Sequence, residues 1–262
     1  MRHRSIPLVL AALLLSVTAH AQSESRPDLV TDRPDFTESS EVVGRGLFQL
    51  EAGASVEGDG RARSLALPAA LLRLGVGDRA ELRLGTDGFV SQHGAGLRAS
   101  GAGDMEVGAK VRLFDQSVAG LDIAIIPAIS LPTGSDSQSS GGADPSVKVT
   151  WARTLPHDLG LTGNVNVASL TEGATRFRQQ AFSVSLGRAL FAGWGGFVET
   201  YGFSPMARGS DAGLIVDGGI TRPAGANLQF DVEAGRGLTA DAPDWFFGVG
   251  MAIRGRTAGA RR

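Results

Sequence analysis

Charged side chains occur at every second position in several segments of this sequence. In the stretch GAGDMEVGAKVRLF the charged members are Asp104, Glu106, Lys110 and Arg112, and the positions between them are apolar. Two acids at this spacing, such as Asp231 and Glu233, could act as the carboxylate pair of a glycoside hydrolase. A β-strand, however, places alternate side chains on one face, and the same spacing recurs along the chain. A polar face shared by many strands therefore explains these acids without catalysis.

Nucleophilic and metal chemistry have few candidate residues. The sequence contains no cysteine, which excludes a disulfide, a catalytic thiolate and a thiolate metal site. Two of the four histidines, His3 and His20, lie in the first 20 residues. The other two, His93 and His157, fall in links predicted to lie at opposite ends of the strands, so they cannot form a dyad with each other or share a metal ion. We therefore expect no enzymatic activity, no cofactor and no metal site.

The first 21 residues have the pattern of a cleaved secretory signal peptide. Arg2 and Arg4 precede the apolar run IPLVLAALLLSVTA, and the small-residue motif AHA ends at Ala21. This apolar run is shorter than the ~20 residues that a membrane-spanning helix needs. The chain of 262 residues has a formal charge of -2, which provides no basic field for nucleic acid. An exported protein that does not bind nucleic acid is predicted.

Alternation of apolar and polar residues continues along the rest of the chain. Clear examples are residues 48–56, 147–151, 161–167 and 228–234. We count about twelve such strands, and their lengths are near the ~9–11 residues of a tilted membrane-spanning strand. The pattern predicts an all-β fold.

The links between the predicted strands alternate in length. Short links, such as residues 75–79, alternate with longer polar ones, such as residues 86–103 and 132–144. Outer-membrane barrels have tight periplasmic turns, long external loops and an even number of strands. A secreted β-sandwich, the alternative fold, has no reason to alternate short and long links at its two ends. We therefore predict a closed antiparallel transmembrane β-barrel of about twelve strands.

In such a barrel the apolar faces contact lipid and the charged rows face the lumen. Aromatic residues near strand ends, including Trp151, Tyr201 and Phe246, suit the interfacial girdles of a barrel. The pore-lining candidates are Glu51, Glu81, Arg83, Asp104, Glu106, Lys110, Arg112, Lys148, Glu199, Asp217, Asp231 and Glu233. Because both signs of charge are present, these side chains should pair across strands. Two interpretations stay open, namely a solute-conducting lumen and a closed, salt-bridged core.

Residues 31–39, TDRPDFTES, precede the first predicted strand and are too polar to span a membrane. Arg33 lies between Asp32 and Asp35, and Pro34 stiffens the chain beside it. One interpretation is a mobile periplasmic tail. The other is a plug that folds back into the barrel mouth and pairs Arg33 with lumen acids. The candidate partners of Arg33 are Asp217, Asp231 and Glu233.

Four stretches of this chain resemble the family labelled as the putative MetA-pathway of phenol degradation. They are TDRPDFTESSEVVGRGLFQLEAG (31–53), GAGDMEVGAKVRLF, ISLPTGSD (129–136) and VDGGITRPAGANLQFDVEAGRGLTADAPDWFFGVGMAIR (216–254). The resemblance implies an outer-membrane β-barrel with a role in solute passage. The phenol label says little about the substrate of this protein, which we expect to be an aromatic or other small organic compound.

These observations divide the chain into four parts. They are a signal peptide (1–21), a periplasmic or plug segment (22–45), an outer-membrane barrel (46–254) and a C-terminal tail (255–262). The predicted function is a channel or transporter for a small solute, with outer-membrane lipid and the barrel-assembly machinery as partners. The alternatives are a non-conducting structural or surface-binding barrel and, with less support, a secreted β-sandwich binding protein.

Overall fold

The alternating segments form strands in a computed structural model that describes residues 28–94, 96–205 and 210–257. The predicted signal peptide lies outside the described residues. The strands are β1 Leu47–Asp59, β2 Ala62–Gly75, β3 Ala80–Thr86, β4 Phe89–Gly94, β5 Leu97–Ala102, β6 Met105–Phe114, β7 Asp122–Leu131, β8 Asp144–Leu155, β9 Leu159–Glu172, β10 Thr175–Ala189, β11 Gly195–Phe203, β12 Gly213–Pro223, β13 Leu228–Gly237 and β14 Trp245–Arg256. A short helix, α1 Gln116–Ala119, and a 3-10 turn at Pro156–Asp158 lie in links. Within the described part of the chain, neither helical segment is long and apolar enough to cross a bilayer.

The sheet closes on itself, because β1 pairs along most of its length with both β14 and β2. Among the described strands, all but β5 are paired with a strand on both sides, as a lipid environment requires. The free edge of β5 is contacted by the link after β7, where Ser135 N–H donates to the Ala102 carbonyl oxygen at 2.8 Å. β3 and β4 pair with successive halves of β2, and β6 and β5 continue the wall beside them. β3 and β4 together form one interrupted crossing, and β5 and β6 form another. The 14 strands therefore make twelve crossings of the wall. The prediction of a closed antiparallel barrel of about twelve strands is confirmed.

The interruptions in these two crossings lie next to each other. Pro68 on β2 has no N–H group to donate to the neighbouring strand. Gly88 follows β3 with a φ of +70°, and a Cβ atom there would lie 2.1 Å from the carbonyl oxygen of Pro68. The Gly103 N–H donates to the Gly88 carbonyl oxygen at 2.7 Å. Residues 86–103, predicted as a long polar loop, are therefore mostly wall, and that expectation was wrong because their many glycines and short side chains conceal the alternation.

The two ends of the barrel differ in their links. We call the end that holds the start of β1 and the finish of β14 the terminal end, and the opposite end the loop end. The loop end carries the longer links around residues 132–143 and 238–244, while the terminal end carries turns such as residues 76–79. His93 lies in β4 near the loop end, and His157 lies in the 3-10 turn at the terminal end. The two histidines are thus separated by the height of the wall.

Apolar side chains cover the outer surface, and polar side chains fill the interior. Val107 and Val165 on the outer face are 45% and 56% exposed, whereas Arg73 and Lys110 inside are fully buried. Tyr201 and Phe246, expected in the interfacial girdles, instead line a cavity inside the barrel. The strand register explains this, since Phe246 is opposite Glu57 and so shares its inward face. The barrel therefore has a polar interior and an apolar outer surface that faces lipid.

Val107→Arg is expected to impede insertion of the barrel into a bilayer. An arginine on the lipid face near the middle of the membrane costs about 2–4 kcal/mol. Glu106→Gln changes the neighbouring, inward-facing residue and is the matched control, for which we expect normal assembly. The measurement is the fraction of protein refolded into phosphatidylcholine vesicles that shows heat-modifiable electrophoretic mobility. Loss of folding in the control together with normal folding of the arginine variant would reverse the assigned facing.

Candidate functional site

Residues 28–46, here called the inner segment, lie inside the barrel and touch walls on different sides of the lumen. Val43 N–H donates to Glu81 at 2.6 Å, and Phe36 N–H donates to Glu199 at 2.7 Å. Glu81 belongs to β3 and Glu199 to β11, which are far apart in the strand order. Asp32 and Thr37 are among its buried residues. The inner segment therefore occupies the lumen rather than extending from the barrel.

One side of the lumen concentrates positive charge. Its five cations, here called the basic wall, are Arg73, Arg83, Lys110, Arg112 and Lys148. Arg73 donates through Nε to Glu81 at 2.8 Å and through Nη1 to Glu51 at 3.0 Å. These two carboxylates belong to the strands themselves, and both are fully buried. They neutralise only part of the charge of the basic wall.

The inner segment supplies the missing carboxylates. Asp32 accepts from Arg83 at 2.6 Å and from Lys110 at 2.8 Å. Glu38 accepts from Arg83 at 2.7 Å and from Lys148. Glu41 accepts from Arg112 at 3.0 Å. Each of the three acids therefore holds at least one cation of the basic wall.

The charges of this cluster balance. Five cations of the basic wall meet two carboxylates from the strands and three from the inner segment. Asp115, which also contacts Arg112 at 3.3 Å, has a cation of its own in Arg79. A buried ion whose partner is removed is strongly unfavourable, because it has lost its hydration and keeps no opposing charge. The inner segment is therefore required for the electrostatic balance of the barrel interior.

The protonation of two acids in the inner segment reflects this pairing. Burial raises the pKa of Asp32, but Arg73, Lys110 and Arg83 outweigh burial and hold the pKa well below its usual value. Burial also raises the pKa of Glu38, and the attraction of Lys148 and Arg83 brings the pKa down to about 2. A lowered carboxyl pKa stabilises the docked segment above the ordinary value of 4.5, and this contribution is lost as the pH falls toward about 2. The contacts with the basic wall therefore persist in mild acid.

The other side of the lumen concentrates negative charge. Its four carboxylates, here called the acidic wall, are Glu199, Asp217, Asp231 and Glu233. Among the described residues, Arg33 forms the one ion pair that reaches them, with its Nη2 atom 3.1 Å from Asp231 Oδ1. Glu199 accepts instead from the N–H groups of Phe36 and Thr37 at 2.7 and 2.8 Å. The inner segment therefore meets this wall with a single cation.

Two glycines make room for the Arg33 side chain. Gly53 of β1 and Gly250 of β14 are directly opposite each other in the register. A Cβ atom at Gly53 would lie 2.5 Å from Arg33 Cζ, and one at Gly250 would lie 2.4 Å from Arg33 Nε. Both distances are shorter than any stable carbon contact, so the guanidinium group lies directly against bare backbone. Glycine at these two positions allows Arg33 to reach Asp231.

Asp35 has the opposite electrostatic environment from Asp32. Burial and the neighbouring charges of Glu199 and Asp217 raise the pKa of Asp35 well above its usual value. No ion pair forms at Asp35 within the part of the chain that the structure describes. The inner segment is thus attracted to the basic wall through its acids, while Asp35 is repelled by the acidic wall.

Two of the cavities beside the inner segment lie at opposite ends of the barrel. The loop-end cavity has a volume of about 530 Å³ and lies against Glu57, Tyr201 and Asp217. The terminal-end cavity has a volume of about 330 Å³ and lies against strand ends of β9 to β13. Pro34 and Asp35 line both cavities. This short stretch of the inner segment therefore separates the two spaces.

A sequence profile of the family described as "Putative MetA-pathway of phenol degradation" matches residues 31–255. The chain belongs to this family. The match begins within the inner segment and continues to the last strand, so it includes both parts of the structure. No curated protein sequence matches the chain significantly.

Solved outer-membrane proteins share the fold of this family member. An outer membrane channel from Pseudomonas putida F1 is 14% identical, with a TM-score of 0.63, 82% of this chain covered and 98% of that chain covered. The NanC porin is 9% identical with a TM-score of 0.53, and the alignment covers 78% of this chain and 98% of the porin. The KdgM porin, solved in complex with disordered oligogalacturonate, is 13% identical with a TM-score of 0.51 and coverages of 78% and 98%. At these identities the likeness shows a common fold.

The remaining pore-lining candidates of this family member lie outside the two charged walls. Asp104 accepts N–H donation from Gly134 at 2.8 Å and from Ser140 at 3.1 Å, so it fixes the link around residues 132–143. Glu106 is exposed inside the barrel and lines a third cavity of about 330 Å³ together with Asp104. Asp104 is thus mainly a loop anchor, although the alternation alone grouped it with the lumen charges.

Several important residues were missed by sequence reasoning. Arg73 is fully buried at the centre of the basic wall. Leu71, two residues before it on β2, also faces inward, so this strand does not alternate clearly between polar and apolar residues. Glu38 and Glu41 lie in the same polar stretch as Asp32, where no spacing distinguishes a paired acid from a solvated one. The only available signal was that a lumen with uncompensated cations must obtain carboxylates from elsewhere.

Arg73→Ala is expected to destabilise the barrel by about 3–5 kcal/mol, because it leaves buried carboxylates without a cation. Arg79→Ala is the matched control. Arg79 pairs with Asp115 at the terminal end, and its side chain is 54% exposed, so we expect a loss of at most about 1 kcal/mol. The measurement is the free energy of unfolding from denaturant titration in detergent micelles. Equal losses in the two variants would contradict the importance assigned to the buried network.

Proposed function

We propose that the protein is an outer-membrane channel that passes a small solute, and that the inner segment partitions its lumen. The outer-membrane location is supported by family membership and by the fold shared with a channel and two porins. The apolar outer face and the closed sheet are what such a location requires. The solute is an aromatic or other small organic compound, in keeping with the size of the cavities.

The arrangement of the loop-end and terminal-end cavities supports this proposal. They approach each other from opposite ends of the barrel, and Pro34 and Asp35 line both. A solute that crosses the lumen on this side therefore has to displace only a short stretch of chain. On the basic-wall side a cavity of about 330 Å³ reaches Arg83 and Glu38. Beyond it, Arg73 and Lys110 are fully buried within ion pairs, so this cavity has no counterpart among the described residues toward the terminal end.

The uneven attachment of the inner segment indicates how passage occurs. Its acids are held by the balanced cluster at the basic wall, whereas the stretch near Pro34 is held by the Arg33–Asp231 ion pair and by the hydrogen bonds to Glu199. Repulsion between Asp35 and the acidic wall further weakens this contact. We infer that opening moves residues 33–37 away from β10 to β14 while the rest of the segment stays in place.

A non-conducting barrel is the second candidate, and one observation favours it. The charge balance between the inner segment and the basic wall resembles a permanent core, because four of the five paired carboxylates are fully or largely buried. They are Asp32, Glu38, Glu51 and Glu81. In that case the two cavities bind a ligand at each end without exchange. Permeability measurements on refolded protein distinguish the two functions.

Arg33→Ala is expected to increase solute permeability several-fold, because it removes the ion pair that holds the partition to Asp231. Gly250→Ala is a second route to the same result, since a Cβ atom there would displace the Arg33 side chain without changing any charge. The measurement is the rate of liposome swelling with arabinose or glycine, using refolded mature protein. Arg79→Ala, at the rim of the terminal end, serves as the control and should match the unaltered protein. Unchanged swelling in both test variants would favour the non-conducting barrel.

A disulfide between the inner segment and the wall is expected to abolish passage. The Thr37 and Ser183 hydroxyl oxygens are 2.6 Å apart, so the two side chains point at each other, as the cysteines of a disulfide do. The protein contains no cysteine, so Thr37→Cys with Ser183→Cys introduces a single possible bridge. Oxidation should suppress liposome swelling, and a reductant should restore it.

A second double variant controls for the effect of cross-linking itself. Ser91→Cys with Ser100→Cys joins directly paired residues on β4 and β5 and leaves the inner segment untouched. Its swelling rate should be the same under oxidising and reducing conditions. If oxidation of the Thr37–Ser183 pair also left swelling unchanged, solute would have to pass without movement of the inner segment, and the proposed partition would be wrong.

A further inference from the structure

The loop-end cavity contains a carboxylate whose partner is missing. Asp217 on β12 is only 7% exposed, and neither of its oxygens has a hydrogen-bond partner. Its side chain packs across Gly235 toward Phe246, since a Cβ atom at Gly235 would lie 2.5 Å from Asp217 Cβ and 2.3 Å from Phe246 Cε1. Buried polar groups in folded proteins are nearly always satisfied. Asp217 is therefore positioned to receive a donor that comes from outside the chain.

The surroundings of Asp217 favour a positively charged ligand. The carboxylates that line the same cavity are Asp35, Glu57, Asp59, Glu233 and Asp241. Among the described residues lining it, none is lysine, arginine or histidine. A cavity walled by one sign of charge raises the local concentration of ligands of the opposite sign. The missing donor is therefore expected to be a cation.

Aromatic rings occupy the rest of the cavity surface. Phe36 of the inner segment stacks on Tyr201 with ring centroids 4.5 Å apart and planes 6° apart. Phe203 and Phe246 line the cavity beside this pair. Aromatic faces attract cations and also bury apolar groups. The cavity thus offers both a charged end and an apolar end to a ligand.

A bare metal ion does not fit these residues. In the described part of the chain, no group of three or more histidine, aspartate or glutamate side chains has an arrangement that could hold a metal ion. We propose that the loop-end cavity binds an organic cation, a protonated primary amine that carries an aromatic or apolar group. The ammonium group donates to Asp217, and the apolar group packs between Tyr201 and Phe246. This inference goes beyond solute passage, because the cavity binds such a ligand whether or not the barrel conducts.

The test is equilibrium binding by isothermal titration calorimetry of the refolded full-length mature protein in a zwitterionic detergent. The probes are benzylammonium, its neutral analogue benzyl alcohol, the anion benzoate, and methylammonium, which lacks the ring. At pH 7 we expect benzylammonium to bind at least tenfold more tightly than benzyl alcohol or methylammonium, and benzoate to give no binding. Magnesium ion at millimolar concentration should not displace benzylammonium.

Variants locate the site. Asp217→Asn should weaken benzylammonium binding at least tenfold, while Asp78→Asn, which changes an exposed acid at the terminal end, should leave it unchanged. Heat-modifiable mobility verifies that each variant is folded, and Glu57→Gln in the same cavity provides a second substitution, expected to weaken binding several-fold. Equal affinity for benzyl alcohol, displacement by magnesium, or unchanged binding in folded Asp217→Asn and Glu57→Gln would each overturn the proposal.

Discussion

The structure depends on a cluster of five cations inside the barrel, of which Arg73, Arg83 and Lys110 are buried. The strands place only Glu51 and Glu81 against the basic wall, and the inner segment contributes three more carboxylates. Because an unpaired buried charge is so costly, the strands alone do not provide a balanced interior. The stretch before the first strand is therefore an internal part of the fold, and the charge pattern of β2, β3, β6 and β8 is matched to it.

The acidic wall has more carboxylates than cations. This difference from the basic wall makes the two sides of the lumen unlike in function. Four carboxylates there share one cation, Arg33, among the described residues. Like charges in a confined lumen repel, so the inner segment packs less completely on this side and the two cavities remain beside it. The fully buried ion pairs on one side and the two cavities that meet at Pro34 and Asp35 on the other follow from the distribution of charge along the strands. The proposed passage and the proposed amine site both use the open side.

Much of the fold could be predicted from the sequence, because a period of two over a dozen segments admits few architectures. Closure, strand number and the inward direction of residues such as Glu81 and Asp231 follow from that period. The interrupted crossings could not be foreseen, since they arise where Pro68 and Gly88 come together from different strands. The candidate site was harder to predict from the sequence than the fold. Arg73 is disguised by apolar neighbours, and the inward position of Tyr201 depends on register rather than on its proximity to a strand end.

The two faces of the inner segment also respond differently to protons. Asp32 and Glu38 have a lowered pKa, so both carboxylates stay charged in mild acid, and their protonation weakens docking to the basic wall only as the pH falls from about 4.5 toward 2. Asp35 has a raised pKa, so its docking near Glu199 and Asp217 is favoured when it is protonated and becomes less favourable as the pH rises through that value. Protonation of Asp35 therefore tightens the partition between the cavities at a pH where Asp32 and Glu38 still hold the basic wall. The same segment can thus be a fixed part of the barrel on one side and an adjustable barrier on the other.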